Sequence, residues 1–331
     1  MAKTMKRIAV LTSGGDAPGM NACIRAVVRS AHYFGVDVYG IYRGYDGMIN
    51  GSFVEMDDRS VSNIIQKGGT ILKSARSEEF RTKEGRKKAY QNIKKFKIDG
   101  LVAIGGNGTF TGAEIFHKEY GVPCIGAPGT IDNDLYGTDF TIGYDTAVNT
   151  ALSAIDKIRD TADAHERIFF IEVMGRDTGY IAVRSAISGG AEMALMPETK
   201  TSIQDVISKL KYGTSHSKAS HIIIVAEGDE IGRATTIAEK VKKALPGLDT
   251  KVTTLGHVQR GGAPSAADRV LASRLGLGAV EGLIKGKTNV MAGVINRTLC
   301  YTAFKECISK KKPINNDLIR IIEVLNGRKY K

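Results

Sequence analysis

The run Pro128-Gly129-Thr130-Ile131-Asp132-Asn133-Asp134 sets two carboxylates two residues apart, directly after a short apolar segment, Cys124–Gly126. Moving a phosphoryl group onto an alcohol needs one group to take the hydroxyl proton and oxygens to organise a divalent cation. Asp132 and Asp134 could serve one need each. An acidic loop closed by Asx turns has a similar composition, but a Thr-Ile-Asp-Asn-Asp run straight off a strand and a Pro-Gly favours chemistry.

Two glycine-rich turns stand upstream. Ser13-Gly14-Gly15-Asp16-Ala17-Pro18-Gly19 follows an apolar run and precedes a segment rich in Ala, Val and Ile; Gly105-Gly106-Asn107-Gly108-Thr109 repeats the setting. Backbone N–H groups in such a turn, with the start of the following helix, make an anion site. Neither turn matches the dinucleotide pattern G-x-G-x-x-G or the phosphate loop G-x-x-x-x-G-K-[ST], and an ordinary tight strand-to-helix turn remains an alternative. The second turn is similar to the G-G-D-G-T turn of lipid and NAD kinases, which indicates a kinase class more than a substrate. Glycine with a polar group recurs at Gly126 to Thr130, Met174-Gly175-Arg176, Glu227-Gly228 and Gly256-His257. Ligands in open α/β sheets bind outside the carboxyl ends of the strands, so these ends outline one large polar site or two facing ones.

Apolar runs at Ile8–Leu11, Leu101–Ile104, Cys124–Gly126, Ile168–Val173, Ile222–Val225 and Val252–Leu255 read as strands, with helical patterns between them. That alternation predicts an α/β protein with a mainly parallel sheet. Val148, Ala151, Leu152, Ile155 and Ile158 recur at helical spacing after an N-cap candidate, Asp145. No composition shift marks a domain boundary. The 331 residues suffice for two lobes, and the helix beginning near Asp145 could join them.

The formal net charge is +12. It could serve nucleic acid or a set of small-anion sites. The densest basic stretch, Arg81–Lys97, carries Tyr90, Ile93 and Phe96 at helical spacing and reads as an amphipathic helix with a solvated basic face. With no nucleic-acid module in view, the expectation is no nucleic acid. No apolar stretch reaches membrane-span length, and Ile8–Leu11 is too short for a secretory signal, so a cytoplasmic protein is expected. The four cysteines, Cys23, Cys124, Cys300 and Cys307, show no metal-ligand spacing; Cys23 and Cys124 read as small core residues.

Taken together, Thr12 to Asn21, the G-G-x-G turn, Pro128 to Asp134, Met174-Gly175-Arg176 and Gly256-His257-Val258-Gln259-Arg260-Gly261-Gly262 resemble the bacterial ATP-dependent 6-phosphofructokinases, in order, spacing and nearly full length. The resemblance implies two similar Rossmann-like three-layer lobes, with ATP on the larger (1–143 with about 259–309) and fructose 6-phosphate on the smaller (144–258 with about 310–331), the sugar lying between them. It also implies Mg2+, a homotetramer in which a neighbour lends residues to the sugar site, and effector sites at another interface.

By the same resemblance Asp132 is the proton acceptor for the 1-hydroxyl, with Thr130 and Asp134 supporting the reacting end. Gly15, Arg76, Ser77, Gly106, Asn107, Gly108 and Thr109 match nucleotide-binding positions. Arg76 would stabilise charge on the transferring group, and Arg176, beside Met174 and Gly175, the transition state or the sugar. Glu227 would accept from sugar hydroxyls; His257 and Arg260 would hold the 6-phosphate, joined by Arg167 and Lys251 from the neighbour. Asn107 and Asp134 are the metal positions. Arg25, Arg29, Arg159, Gly190, Glu192 and Lys218 match parts of an effector site for ADP or phosphoenolpyruvate. On the residues alone, Arg76 and Arg167 could be surface ion-pair residues and His257 a structural histidine.

Gly108 and Gly129 stand where pyrophosphate-users of the family carry aspartate and lysine, which points to ATP. Three departures stand out. Asn107 replaces the metal-associated aspartate and lowers expected magnesium affinity or turnover. Lys251 replaces an arginine and gives up its planar fork. Ser77 replaces an aromatic residue. The alternatives are a low-activity or regulatory paralogue, or a kinase using another sugar phosphate or pyrophosphate.

Overall fold

The computed structural model describes residues 5–165, 167–215 and 220–326. They divide into two compact units: residues up to Thr146 with Arg260–Lys312, and Ala147–Gln259 with residues from Pro313 onward.

The first unit runs β1 (Arg7–Thr12), α1 (Met20–Tyr33), β2 (Asp37–Ile41), α2 (Gly44–Asn50), β3 (Phe53–Met56), α3 (Lys83–Lys95), β4 (Gly100–Gly105), α4 (Asn107–Tyr120) and β5 (Cys124–Pro128). Helix α5 (Tyr144–His165) then carries the chain into the second unit. There β6 (Ile168–Val173), α6 (Tyr180–Ser188), β7 (Met193–Leu195), α7 (Ile203–Ser215), β8 (His221–Ala226), α8 (Ala234–Ala244) and β9 (Thr250–Thr254) follow. The chain returns through α9 (Ala266–Ile284), β10 (Val290–Ile295), β11 (Thr298–Ala303) and α10 (Phe304–Ser309), and α11 (Asn316–Asn326) rejoins the second unit.

The first sheet is ordered β11-β10-β5-β4-β1-β2-β3. Its central strands are parallel, while β3 and β11 run antiparallel at the edges. β4 and β5 are buried along their whole length, as parallel strands covered on both faces must be. Ala9, Leu11, Leu101 and Ala103 turn to one face and join Tyr45, Phe80, Phe110, Phe116 and Phe304 in a core. The second sheet, β7-β8-β6-β9, is parallel throughout. Its core gathers Phe170, Leu195, Ile223, Val225 and Val241.

Local signals explain the helix bounds. Thr82 caps α3 by accepting from Gly85 N–H at 3.0 Å, so the basic stretch is a short turn (Glu79–Arg81) and then a helix ending before Phe96. α5 begins at Tyr144, which puts Asp145 in its first turn rather than at its cap; a carboxylate there still favours the positive helix end. β9 begins at Thr250, two residues before the apolar run, because its ladder with β6 starts at Ile168↔Thr250. Cys23 and Cys124 are buried, and burial pushes both thiols up to about 12. Among the described residues no helix is long and apolar enough to cross a membrane.

Candidate active site

The carboxyl ends of β1, β4 and β5 lie side by side in the first sheet, which brings three sequence-distant turns together. Thr109 ties the first two: its buried hydroxyl donates to Ser13 O at 3.0 Å. A Cβ at Gly105 would sit 2.5 Å from Ser13 O and 2.3 Å from Thr109 Oγ1, so only glycine allows this approach. Thr109 is therefore spent inside the fold, as a strut between the turns. Next to it, Gly108 is exposed on the first turn of α4, and a Cβ there would meet nothing within 4 Å.

The third turn packs against the second, with Thr130 Cβ 3.6 Å from where a Gly106 Cβ would be. Thr130 Oγ1 accepts from Asp132 N–H at 3.2 Å. Asp132 is buried, 6% exposed, at the centre of the turn. Asn107 Nδ2 donates to Asp134 Oδ2 at 2.9 Å, which links α4 to this loop. Asn107 Oδ1 is buried and accepts no hydrogen bond.

Asn133, to which the sequence reading assigns no role, holds the loop in place. It adopts a left-handed φ of 53°, a conformation asparagine tolerates better than most residues. Its Oδ1 accepts from Thr141 N–H at 3.0 Å and Lys312 Nζ at 2.9 Å, and its Nδ2 donates to Asp139 O at 3.3 Å. Asn21 and Ser74 are two more such residues. Asn21 accepts from Ile71 N–H at 2.7 Å and donates to Lys67 O and Gly68 O; Ser74 Oγ donates to Gly14 O. These bonds dock the segment carrying Arg76 and Ser77 beside the first turn. Arg76 is exposed, and Ser77 Oγ accepts from Phe80 N–H at 3.3 Å. Asn21 and Asn133 lie inside the motifs, but nothing in the sequence names their partners.

Arg260 joins the first turn instead of His257. Its Nη1 donates to Asp16 O at 3.1 Å and would lie 2.6 Å from a Gly15 Cβ. Gln259, its neighbour in sequence, belongs to the second unit and accepts from Met174 N–H at 2.9 Å.

A model of the family described as Phosphofructokinase matches residues 7–283. The chain belongs to that family. It is 74% identical over 327 residues to the ATP-dependent 6-phosphofructokinase of Cytophaga hutchinsonii, covering 99% of this chain and 100% of the relative. With ATP-dependent 6-phosphofructokinase 2 of Bacteroides thetaiotaomicron it shares 55% identity, over 98% and 99% of the two chains. The structure of phosphofructokinase from Saccharomyces cerevisiae matches with a TM-score of 0.86 at 36% identity, over 97% of this chain and 47% of the yeast chain, so this chain spans about half of that one. A pyrophosphate-dependent phosphofructokinase from Marinobacter aquaeolei shares the fold, with a TM-score of 0.83 at 22% identity. The α/β architecture is that of the phosphofructokinases.

In the second unit, the ends of β6, β8 and β9 carry Met174, Glu227 and Gly256. Gly175 at φ 147° and Arg176 at φ 57° turn the chain sharply, and Glu227 Oε1 accepts from Arg176 N–H at 2.7 Å. A Cβ at Gly228 would lie 2.2 Å from Arg176 O. The Arg176 side chain is 64% exposed beyond this knot, and His257 is exposed. Arg167 and Lys251 lie toward the opposite, amino ends of β6 and β9. Arg167 is seven residues before Met174 along one strand, roughly 23 Å at strand rise.

The effector candidates divide. Arg159 Nη2 donates to Gly189 O and, at 3.1 Å, to Gly190 O. Glu192 is buried, and its Oε2 accepts from Ile222 N–H at 2.6 Å. Arg25 and Arg29 are on α1 in the first unit. Lys218 lies outside the described residues.

Proposed function

We propose that this chain transfers the γ-phosphoryl group of ATP to the 1-hydroxyl of fructose 6-phosphate, giving fructose 1,6-bisphosphate and ADP in glycolysis. The observation that carries the reading is the convergence of the Asp132 turn on the Gly106–Gly108 turn, in a chain 74% identical over its length to an ATP-dependent 6-phosphofructokinase. Backbone N–H groups of the two glycine turns hold the donor phosphates. Arg76 balances the charge that develops on the transferring group. Asp132, oriented by Thr130, takes the hydroxyl proton as the new P–O bond forms and the bond to the ADP oxygen breaks.

Gly108 supports ATP as donor, since the space at its Cβ is open and an aspartate there would set a negative charge against the phosphates. Among the described residues no three His, Cys, Asp or Glu side chains cluster to hold a metal by themselves. Magnesium suits one or two protein oxygens completed by phosphate and water, and Asp134 with the orphan Asn107 Oδ1 fits that pattern. When bound, Mg2+ neutralises charge on the transferring phosphoryl group.

In the second unit Glu227 accepts from sugar hydroxyls, and Arg176 and His257 face the sugar phosphate. Arg260 is read as a further phosphate cation. The assembly in this reading is a homotetramer; the roughly 23 Å between Arg167 and Met174 supports Arg167 and Lys251 serving a neighbouring copy. ADP or phosphoenolpyruvate at Arg25, Arg29, Arg159, Gly190, Glu192 and Lys218, and a cytoplasmic location, complete the reading. A coupled assay for fructose 1,6-bisphosphate, with magnesium and either ATP or pyrophosphate, tests it. Expected is turnover with ATP alone, falling about 10²- to 10⁴-fold in Asp132→Ser. Full activity in that variant, or a preference for pyrophosphate, would overturn it.

A further inference from the structure

Arg167, Asp249 and Lys251 form one surface cluster. Asp249 Oδ2 accepts from Arg167 Nε at 2.8 Å and its Oδ1 from Lys251 Nζ at 2.9 Å, so each carboxylate oxygen takes one cation. The β6–β9 register brings the three together. Ile168 pairs with Thr250, and Ile168 N–H donates to Asp249 O at 3.0 Å, so Arg167 and Asp249 stand opposite each other just outside the ladder. Asp249 and Lys251, two apart, share a face. All three side chains are part-exposed, at 28%, 47% and 44%.

Stability does not account for the cluster, since exposed ion pairs contribute little. Its electrostatics suit another purpose. One carboxylate against two cations leaves a net single positive charge, and the bond to Asp249 engages Arg167 through Nε, so its end-on Nη1–Nη2 edge can still grip an anion in two places. A phosphate monoester carries between one and a half and two negative charges at neutral pH, roughly, and is the stronger partner for such a pair. The carboxyl of Asp249 is held below the usual range, first by the hydrogen bond from Lys251 and then by that from Arg167.

We propose that Asp249 is a built-in counter-ion: it holds Arg167 and Lys251 convergent while the site is empty and competes with the sugar phosphate for them, thereby setting its affinity. The inference rests on the reading of Arg167 and Lys251 as sugar-phosphate ligands. It makes Asp249 a positioning residue, acting on the KM for fructose 6-phosphate and not on the chemical step.

The test is steady-state kinetics of the full-length enzyme with Asp249→Asn, Asp249→Glu, Arg167→Ala and Lys251→Ala, with inorganic phosphate as a competing probe. Asp249→Asn should lower the KM for fructose 6-phosphate about three- to tenfold, with kcat within about twofold. The inhibition constant of inorganic phosphate should fall in the same proportion. Asp249→Glu, which keeps the charge, should return both to within about twofold of the parent, separating charge from any structural effect. If the arginine and lysine variants raise KM while Asp249→Asn leaves it unchanged or raises it, the counter-ion role is overturned and the phosphate site stands. If neither cation variant moves KM, the phosphate site falls and the counter-ion role falls with it.

Discussion

The side-chain amide of Asn107 donates to Asp134 Oδ2 at 2.9 Å, while its own Oδ1 is buried without a hydrogen bond. A neutral donor at the start of α4 thus holds the Asp134 carboxylate in place. Asn107→Asp should remove this bond and set two carboxylates against each other. Without magnesium the variant should lose about 1 kcal/mol of stability. With magnesium limiting, its turnover should exceed the parent's, because a second charged oxygen strengthens the metal site. Denaturant unfolding in chelator, together with rates across a magnesium series, checks both halves. Lower turnover at every magnesium concentration would mean that the hold on Asp134 outweighs the added charge.

Gly108 separates folding from donor choice. Its Cβ position is open and lies in the first turn of α4, where an acidic side chain favours the positive helix end. Gly108→Asp should therefore melt no lower than the parent, yet lose at least about tenfold in kcat/KM for ATP through repulsion of the phosphates. Calorimetry and ATP saturation curves read the two effects apart.

Asn133 should matter to catalysis without touching substrate. Asn133→Ala abandons the bonds to Thr141, Lys312 and Asp139 and forces alanine into a left-handed conformation. A cost of about 2–4 kcal/mol in urea unfolding follows from the lost buried bonds and the strain. Because the Asp132 turn loosens with it, kcat should fall more than either KM rises.

Arg86 and Glu119 clamp α3 to α4. Arg86 Nε and Nη2 donate to the two Glu119 oxygens at 2.6 and 2.7 Å, and Nη1 donates to Phe80 O and Arg81 O. The hydrogen bond from Arg86 holds the Glu119 carboxyl below the ordinary glutamate range. A lowered folded value means that the stabilisation is complete above the ordinary range and is lost as pH falls through it toward the folded value. Glu119→Gln should therefore flatten part of the acid loss of stability below about pH 4.5. Arg86→Met, which strands the carboxylate, should cost about 2–4 kcal/mol at pH 7. Urea titrations from pH 7 to 3 distinguish the two.

Much of the fold was legible because central parallel strands are buried on both faces and read as apolar runs, as at Leu101–Ile104, Ile168–Val173 and Ile222–Val225. β2, β3, β7, β10 and β11 escaped that reading. β2 and β10 are interrupted by Gly40 and Gly293, β3 and β7 have four and three residues, and β11 is only partly buried along an edge. Their burial is set by neighbours, which a run of residue types does not describe.

The glycine turns, the two carboxylates of the Asp132 loop and the family to which they belong were determined by sequence alone. Turn chemistry is local: a backbone that must bend off a strand and approach an anion demands glycine within a few residues. The partners were decided by tertiary structure. Asn107 meets Asp134 across 27 residues, Arg167 meets Asp249 across 82, and Arg260 meets Asp16 across 244. Such pairs depend on which strands lie side by side and in what register, and that follows from packing two buried sheet faces, not from the order of residues along the chain.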